Sequence, residues 1–78
     1  MADLSVRVLN DGGEPLEGIP VRLGFKGLTR GMSDTEDTDS EGYAYFRGYD
    51  EGPIKVYVNH KNYGDYDYRD GESIDITR

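Results

Sequence analysis

Residues able to carry acid–base or nucleophilic chemistry are sparse in this chain. It contains one histidine, His60, and no cysteine. A Ser-His-Asp triad would have to use His60, which lies between Asn59 and Lys61 at the end of a predicted strand. A lone histidine at such a boundary is typical of a solvated surface residue. The absence of cysteine excludes disulfides, thiolate metal sites and cysteine nucleophiles.

Carboxylates are abundant, with sixteen Asp and Glu residues in 78. A working general acid needs burial or a close like charge that raises its pKa. Nothing in the sequence marks one of these carboxylates as buried, so paired acids here are what any acidic surface offers. We therefore predict a protein that is not an enzyme, with no catalytic residues and no cofactor.

Two acidic segments raise the question of calcium. They comprise Asp34, Glu36, Asp37, Asp39 and Glu41, and then Asp65, Asp67, Asp70 and Glu72. The run at 65–71 faintly resembles a calcium loop, but Arg69 occupies the position where the next oxygen ligand is needed. A charged, solvated strand edge that opposes aggregation is the favoured interpretation, and no metal site is predicted. Calcium binding by these loops is left open.

The net charge of −7 restricts the partners that the protein can have. An acidic surface repels the phosphates of nucleic acids and the anionic lipids of a cytoplasmic leaflet. The first residues lack the basic and apolar regions of an export signal, and no run approaches the roughly 18 apolar residues of a membrane span. We expect a soluble chain that binds no nucleic acid and does not insert into membranes.

Seven tyrosines are the other feature that stands out. Three of them, Tyr43, Tyr45 and Tyr57, alternate with apolar residues in the segments 43–47 and 54–58. These three should therefore face outward from two strands joined by a short loop. Treated as hairpin neighbours, these strands would share one outer face, and the predicted partner-binding residues are Tyr43, Tyr45, Arg47, Lys55 and Tyr57. Tyrosine is enriched at protein interfaces, and its ring also stacks on sugars. The alternative, left open, is that cross-strand aromatic pairs only stabilise the sheet.

The elements that would carry these residues are strands almost throughout. Apolar and polar residues alternate with period two, and clusters of Gly, Pro, Asn and Asp separate the runs. Strands are predicted at 3–9, 19–26, 33–38, 43–48, 53–60, 64–69 and 72–77. This spacing predicts one domain over 1–78, an all-β, seven-stranded antiparallel sandwich. The predicted core is Leu4, Val6, Val8, Leu16, Val21, Leu23, Phe25, Ala44, Phe46, Ile54, Val56, Val58, Tyr63, Ile74 and Ile76.

Several segments together resemble the carboxypeptidase regulatory-like, or transthyretin-like (prealbumin-like), domains. The chain reads VRV at 6–8, DGGEPLEG at 11–18 and VRL at 21–23, similar to a strand, a D-x-x-G-x-P-L-x-G turn that is one residue shorter here, and a second strand. TDSEGYAYF at 38–46 and GPIKVYV at 52–58 resemble the family's T-D-x-x-G-x-[apolar]-x-F and G-x-[apolar]-x-V-x-V segments. The resemblance implies a Greek-key sandwich, related to immunoglobulin-like folds, of a kind mostly found as non-catalytic modules.

Two activities of sandwiches related to this family do not fit the residues present. The hydroxyisourate hydrolases need several histidines, an arginine and a C-terminal Tyr-Arg-Gly-Ser, whereas this chain has one histidine and ends Ile76-Thr77-Arg78. A Lys–Asn isopeptide cross-link needs an inward lysine on an early strand and an inward Asn or Asp on the last. Arg7 and Asp75 are expected to face outward, and Lys26 lies past the end of its strand.

The sequence thus predicts a non-catalytic interaction or structural module. It would dock on a protein surface or self-assemble, for example as a virion decoration protein or a component of a cell-surface filament. The alternative is a carbohydrate-binding accessory domain that uses the exposed tyrosines. The compartment is not determined by the residues, and the family resemblance favours a virion or an extracellular surface.

Overall fold

A computed structural model describes residues 2–25 and 31–78, and these residues form strands and turns without a helix. The strands are β1 (Ala2–Leu9), β2 (Pro20–Phe25), β3 (Glu36–Asp37), β4 (Tyr43–Tyr49), β5 (Gly52–Val58), β6 (Lys61–Tyr68) and β7 (Glu72–Thr77). The all-β prediction is therefore confirmed. The largest differences in extent are that β3 is only two residues long, β5 ends two residues earlier than predicted and β6 begins three residues earlier. Residue 26 of the predicted strand 19–26 lies outside the described residues.

The strands form two sheets. Sheet A has the order β4-β1-β7 and sheet B the order β3-β2-β5-β6. All pairs are antiparallel except β1 with β7, which run parallel with Val6 opposite Ile74. The expectation of a wholly antiparallel sandwich is corrected at this pair. Parallel strands cannot be joined by a tight hairpin, and here β1 and β7 are connected through strands of both sheets.

The prediction that β4 and β5 are hairpin neighbours is wrong. β4 pairs with β1 in sheet A, and β5 pairs with β2 and β6 in sheet B. The short connection between them crosses from one sheet to the other, helped by Gly48 and Gly52, whose φ angles are 82° and 153°. Alternation determines which face of a strand is buried, but it does not determine which strand lies beside it.

The core lies between the two sheets, as in a β-sandwich. Its buried side chains are Leu4, Val6, Val8, Val21, Leu23, Ala44, Phe46, Ile54, Val56, Val58, Tyr68, Ile74 and Ile76. Three of the predicted core residues, Leu16, Phe25 and Tyr63, are only partly buried and pack against its margin. Tyr68 was not predicted, yet its ring is fully buried.

The segment at 38–43 builds a structural turn. The Thr38 hydroxyl, in a buried residue, donates to the Leu16 carbonyl at 2.6 Å and accepts from the Ile19 amide at 2.9 Å. The adjacent Asp39 carboxylate accepts from the amides of Glu41 and Tyr43 at 2.9 and 3.0 Å. These side chains satisfy backbone groups that no ladder reaches. This part of the family-like pattern is thus used for folding.

Candidate binding surface on the outer face of sheet A

The outer face of sheet A presents three cross-strand rows of polar and aromatic residues. In the β-sheet register, one row runs from Tyr43 on β4 through Arg7 on β1 to Asp75 on β7, and a second runs from Tyr45 through Ser5 to Ser73. The third row places Arg47 beside Asp3. Side chains directly opposite one another in a sheet lie within contact range, so each row forms one continuous strip of surface. We call this surface the sheet A face.

Tyr43 and Tyr45 form the aromatic part of the sheet A face. Their rings stack with centroids 5.8 Å apart and planes inclined by 22°. The Arg7 guanidinium lies 5.1 Å from the centre of the Tyr43 ring, and its Nε donates to the Glu41 carbonyl at 3.2 Å. Tyr43 is thus held from both sides, whereas Tyr45 is 52% exposed. The pair presents one pre-positioned ring to solvent.

Arg47 lies next to this ring and is exposed. Every Asp and Glu of the chain lies within the described residues, and Arg47 makes no ion pair with any of them there. It lines a shallow depression of about 230 Å³ together with Tyr45, Ser5, Asp3 and Glu72. Its guanidinium is therefore available to an external acceptor, and its fork suits a carboxylate or a pair of carbonyls.

Lys55 and Tyr57, predicted to share a face with these residues, lie instead on sheet B. The Lys55 ammonium pairs with the Asp65 carboxylate at 3.5 Å. The Tyr57 ring covers Gly24, since a Cβ atom at position 24 would lie 2.9 Å from the ring. The five predicted binding residues are therefore divided between the two outer faces, and Tyr57 has a structural contact that Tyr45 lacks.

Sequence reasoning missed the β1 and β7 residues that complete the sheet A face. Ser5 lies beside Tyr45, Ser73 lies beyond Ser5 at the far end of the same row, and Arg7 supports Tyr43. The alternation had indicated that Arg7 and Asp75 face outward, but no local signal places β1 between β4 and β7. Met32, which is 44% exposed, was also missed and lies beside Gly24 on sheet B.

The described residues show no arrangement typical of a catalytic or metal site. His60 is exposed in the β5–β6 turn, and its neighbours are Asn59 and Lys61. No group of three or more His, Asp or Glu residues in the described ranges is placed to hold a metal ion. Burial raises the pKa of Tyr68 above its usual range, and this residue lies in the core away from solvent.

Comparisons with known proteins give no family assignment. No protein-family model matches the chain, and no curated protein matches it. Within residues 2–25 and 31–78 there is also no helix long and apolar enough to cross a membrane.

Proposed function

We propose that this protein is a non-catalytic interaction module that docks on a protein surface or self-assembles through the sheet A face. The observation that carries the proposal is the exposed Tyr45 ring, which is positioned by Tyr43 and lies next to Arg47, a residue without an ion pair among the described carboxylates. Tyrosine and arginine are among the residues most often found as binding hot spots. An aromatic ring held in place before binding loses little conformational entropy when a partner covers it.

We further propose that the strands of the two sheets are connected in a transthyretin-like Greek-key topology. In sheet B and at its margin, the neighbours follow the order β5-β2-β3-β4, because β3 pairs with β2 and contacts β4. This order matches a Greek key, in which the fourth strand returns beside the first. In an immunoglobulin constant domain the first and second strands pair, whereas here β1 pairs with β4 and β7. The order therefore supports the transthyretin-like proposal more than the immunoglobulin-like one.

Light scattering on a size-exclusion column, at a wide range of protein concentrations, tests self-assembly. A stable oligomer, or a mass that rises with concentration, supports self-assembly. A strict monomer contradicts self-assembly, and docking on a different protein is then the remaining form of the proposal. The decisive variant is Tyr45→Ser, which should reduce assembly without loss of the fold because half of this side chain is already exposed. Tyr57→Ser on the opposite sheet is the matched control. Loss of assembly in Tyr57→Ser but not in Tyr45→Ser would refute the role of the sheet A face in assembly.

A carbohydrate-binding role is the second candidate, and one observation favours it. The exposed ring of Tyr45 lies beside Ser5 in its own row, and the Ser5 hydroxyl can bond a sugar hydroxyl while the ring stacks on the sugar. Titration with oligosaccharides, followed by NMR shifts, tests it. Binding is expected to persist in Tyr45→Phe and to disappear in Tyr45→Ser. Equal binding by both variants would contradict this role.

A further inference from the structure

The outer edge of β7 is an unpaired edge of sheet A. β7 pairs with β1 alone, and the Arg78 amide donates to the Leu9 carbonyl at 2.9 Å. In a parallel ladder every second residue directs both its N–H and its C=O to the partner strand. The bond from the Arg78 amide therefore means that the even-numbered residues of β7 direct their N–H and C=O groups towards β1. The amides and carbonyls of Ser73, Asp75 and Thr77 point away from β1, and no described residue pairs with them.

The neighbouring seam between β7 and β6 is open. Sheet A has three strands and sheet B has four, so the sandwich ends unevenly at β6. On this side Tyr63 and Tyr66 of β6 are only partly buried, and Ile74 of β7 is 8% exposed. A groove of about 260 Å³ is lined by Tyr66, Ile74, Asp67, Arg69 and Glu72. A strand added beside β7 would place alternate side chains over this groove.

The charges around this edge determine what kind of strand fits. Asp67, Glu72 and Asp75 are exposed beside it, and the cation of the groove, Arg69, pairs with Asp67 at 3.6 Å. The side chain of Asp75 points to the outer face, directly opposite the outward side chains of an added strand. A strand with acidic residues at those positions would meet like charges, whereas lysine or arginine would meet opposite ones.

We propose that the β7 edge is a second docking site, which accepts an extended basic segment of another protein as an additional strand. The segment carries apolar residues at alternate positions, which cover Tyr66 and Ile74, and Lys or Arg between them, which face Asp75. Backbone hydrogen bonds to Ser73, Asp75 and Thr77 supply the register, as in other cases of strand addition. This site uses the backbone edge of β7 and not the Tyr43–Tyr45 aromatic pair, although it shares Ser73 and Asp75 with the sheet A face, and it does not depend on the function proposed for that face.

A synthetic peptide that alternates lysine and valine tests this proposal on the full chain. Addition of the peptide should shift the NMR amide signals of Ser73, Asp75 and Thr77 and slow their hydrogen exchange about tenfold or more, because ladder bonds protect amides. A peptide of the same pattern with glutamate in place of lysine should not bind. A lysine–valine peptide N-methylated at every residue should also fail, because neither of its edges has an amide donor.

Charge reversal in the protein separates this edge from general acidity. Asp75→Lys should weaken peptide binding about tenfold or more, since it places like charges opposite one another. Glu36→Lys, at the opposite edge of sheet B, makes the same change in net charge and should reduce binding far less. Asp75→Pro removes an outward N–H that makes no bond to β1, so the fold should survive and binding should be lost.

Three results would overturn the proposal. One is the absence of shifts at Ser73, Asp75 and Thr77 at saturating lysine–valine peptide. Another is equal binding of the glutamate peptide or of the N-methylated peptide, which would exclude charge selection or ladder bonding. The third is concentration-dependent protection of these amides without peptide, which would assign the edge to a second copy of this chain.

Discussion

Tyr68 joins the two sheets at the level of a single residue. Its ring is fully buried on β6 of sheet B, and its hydroxyl donates to the Phe46 carbonyl on β4 of sheet A at 3.1 Å. The backbone of Tyr49 also bonds this hydroxyl, and the Tyr49 and Phe25 rings pack edgewise against its ring at 6.0 and 6.4 Å. Apolar contact between sheets is not directional, so this hydroxyl adds a specific alignment of one sheet on the other.

Tyr68→Phe should therefore destabilise the protein although it retains the ring. The Phe46 carbonyl would lose its buried donor, which predicts a fall of about 1–2 kcal/mol in the free energy of unfolding. Urea denaturation measures this change. Tyr66→Phe is the matched control, since Tyr66 is a half-buried ring on the same strand and no hydrogen bond of its hydroxyl is seen in the described residues. Equal stability of the two variants would mean that the Tyr68 hydroxyl does not stabilise the sandwich.

The same pair of variants predicts the alkaline behaviour of the protein. Burial raises the pKa of Tyr68 above the usual value of 10.0, and nearby Asp3 adds to the rise. The unfolded chain therefore releases this proton at a lower pH than the folded chain does. The associated stability is complete below about pH 10 and is lost as the pH rises towards the folded pKa. The free energy of unfolding of the wild type should fall more steeply than that of Tyr68→Phe between about pH 9 and about pH 12.

At the scale of elements, the β5–β6 hairpin is held by a two-residue turn that suits glycine better than the residues present. Val58 and Lys61 close the hairpin around Asn59 and His60, whose φ angles are 51° and 70°. Positive φ at both central positions defines a type I′ turn, where Asn-Gly is the preferred pair. Asn59 tolerates this conformation, whereas His60 is strained by it.

His60→Gly should stabilise the protein by roughly 0.5–1 kcal/mol, because relief of the left-handed strain outweighs the added freedom of the unfolded chain. An increase in the urea midpoint with an unchanged slope would show it. Asp50→Gly is the control, since Asp50 has no positive φ and the substitution should lower stability. A loss of stability in both variants would contradict the proposed strain at His60.

The same elements show how far the sequence determines the fold and the site. The alternation around Val56 and Ile76 correctly predicted strands and inward faces, because the period of two is a local property. It extended β5 through Asn59 and His60, because Asn59 continues the alternation after Val58 and a single Asn without Gly or Pro beside it is a weak turn signal. Tyr68 was missed since its strand is mostly polar, and the buried hydroxyl depends on a partner 22 residues away.

The candidate site was only half predictable for a related reason. The outward positions of Tyr43, Tyr45 and Arg47 follow from Ala44 and Phe46, and the structure places them on one face. Their neighbours are set by the order of strands in each sheet, which arises from contacts distant in sequence. A two-residue connection between β4 and β5 predicts a hairpin by length alone, and the change of sheet at Gly48 and Gly52 is a property of tertiary packing.

For the whole molecule, charge is the property that most affects both stability and association. The net charge is −7, and the ion pairs within the described residues are Lys55–Asp65 and Arg69–Asp67, both largely exposed. Exposed pairs of this kind contribute little, whereas unbalanced like charges repel one another across the folded surface. Repulsion between carboxylates therefore lowers the stability of the folded protein, and a basic partner at the β7 edge would reduce that repulsion.

Salt should consequently stabilise the isolated protein near neutral pH. The Debye length shortens from about 30 Å at 0.01 M to about 8 Å at 0.15 M, so repulsion across a molecule 38 Å in its longest dimension is screened over this range. The urea midpoint should rise with sodium chloride and level off above this range, and potassium chloride should have the same effect. Near the isoelectric point of about 4.4 the net repulsion vanishes, and the dependence on salt should vanish with it. An equal rise at both pH values would instead indicate a general strengthening of apolar burial by salt, because that effect does not depend on net charge.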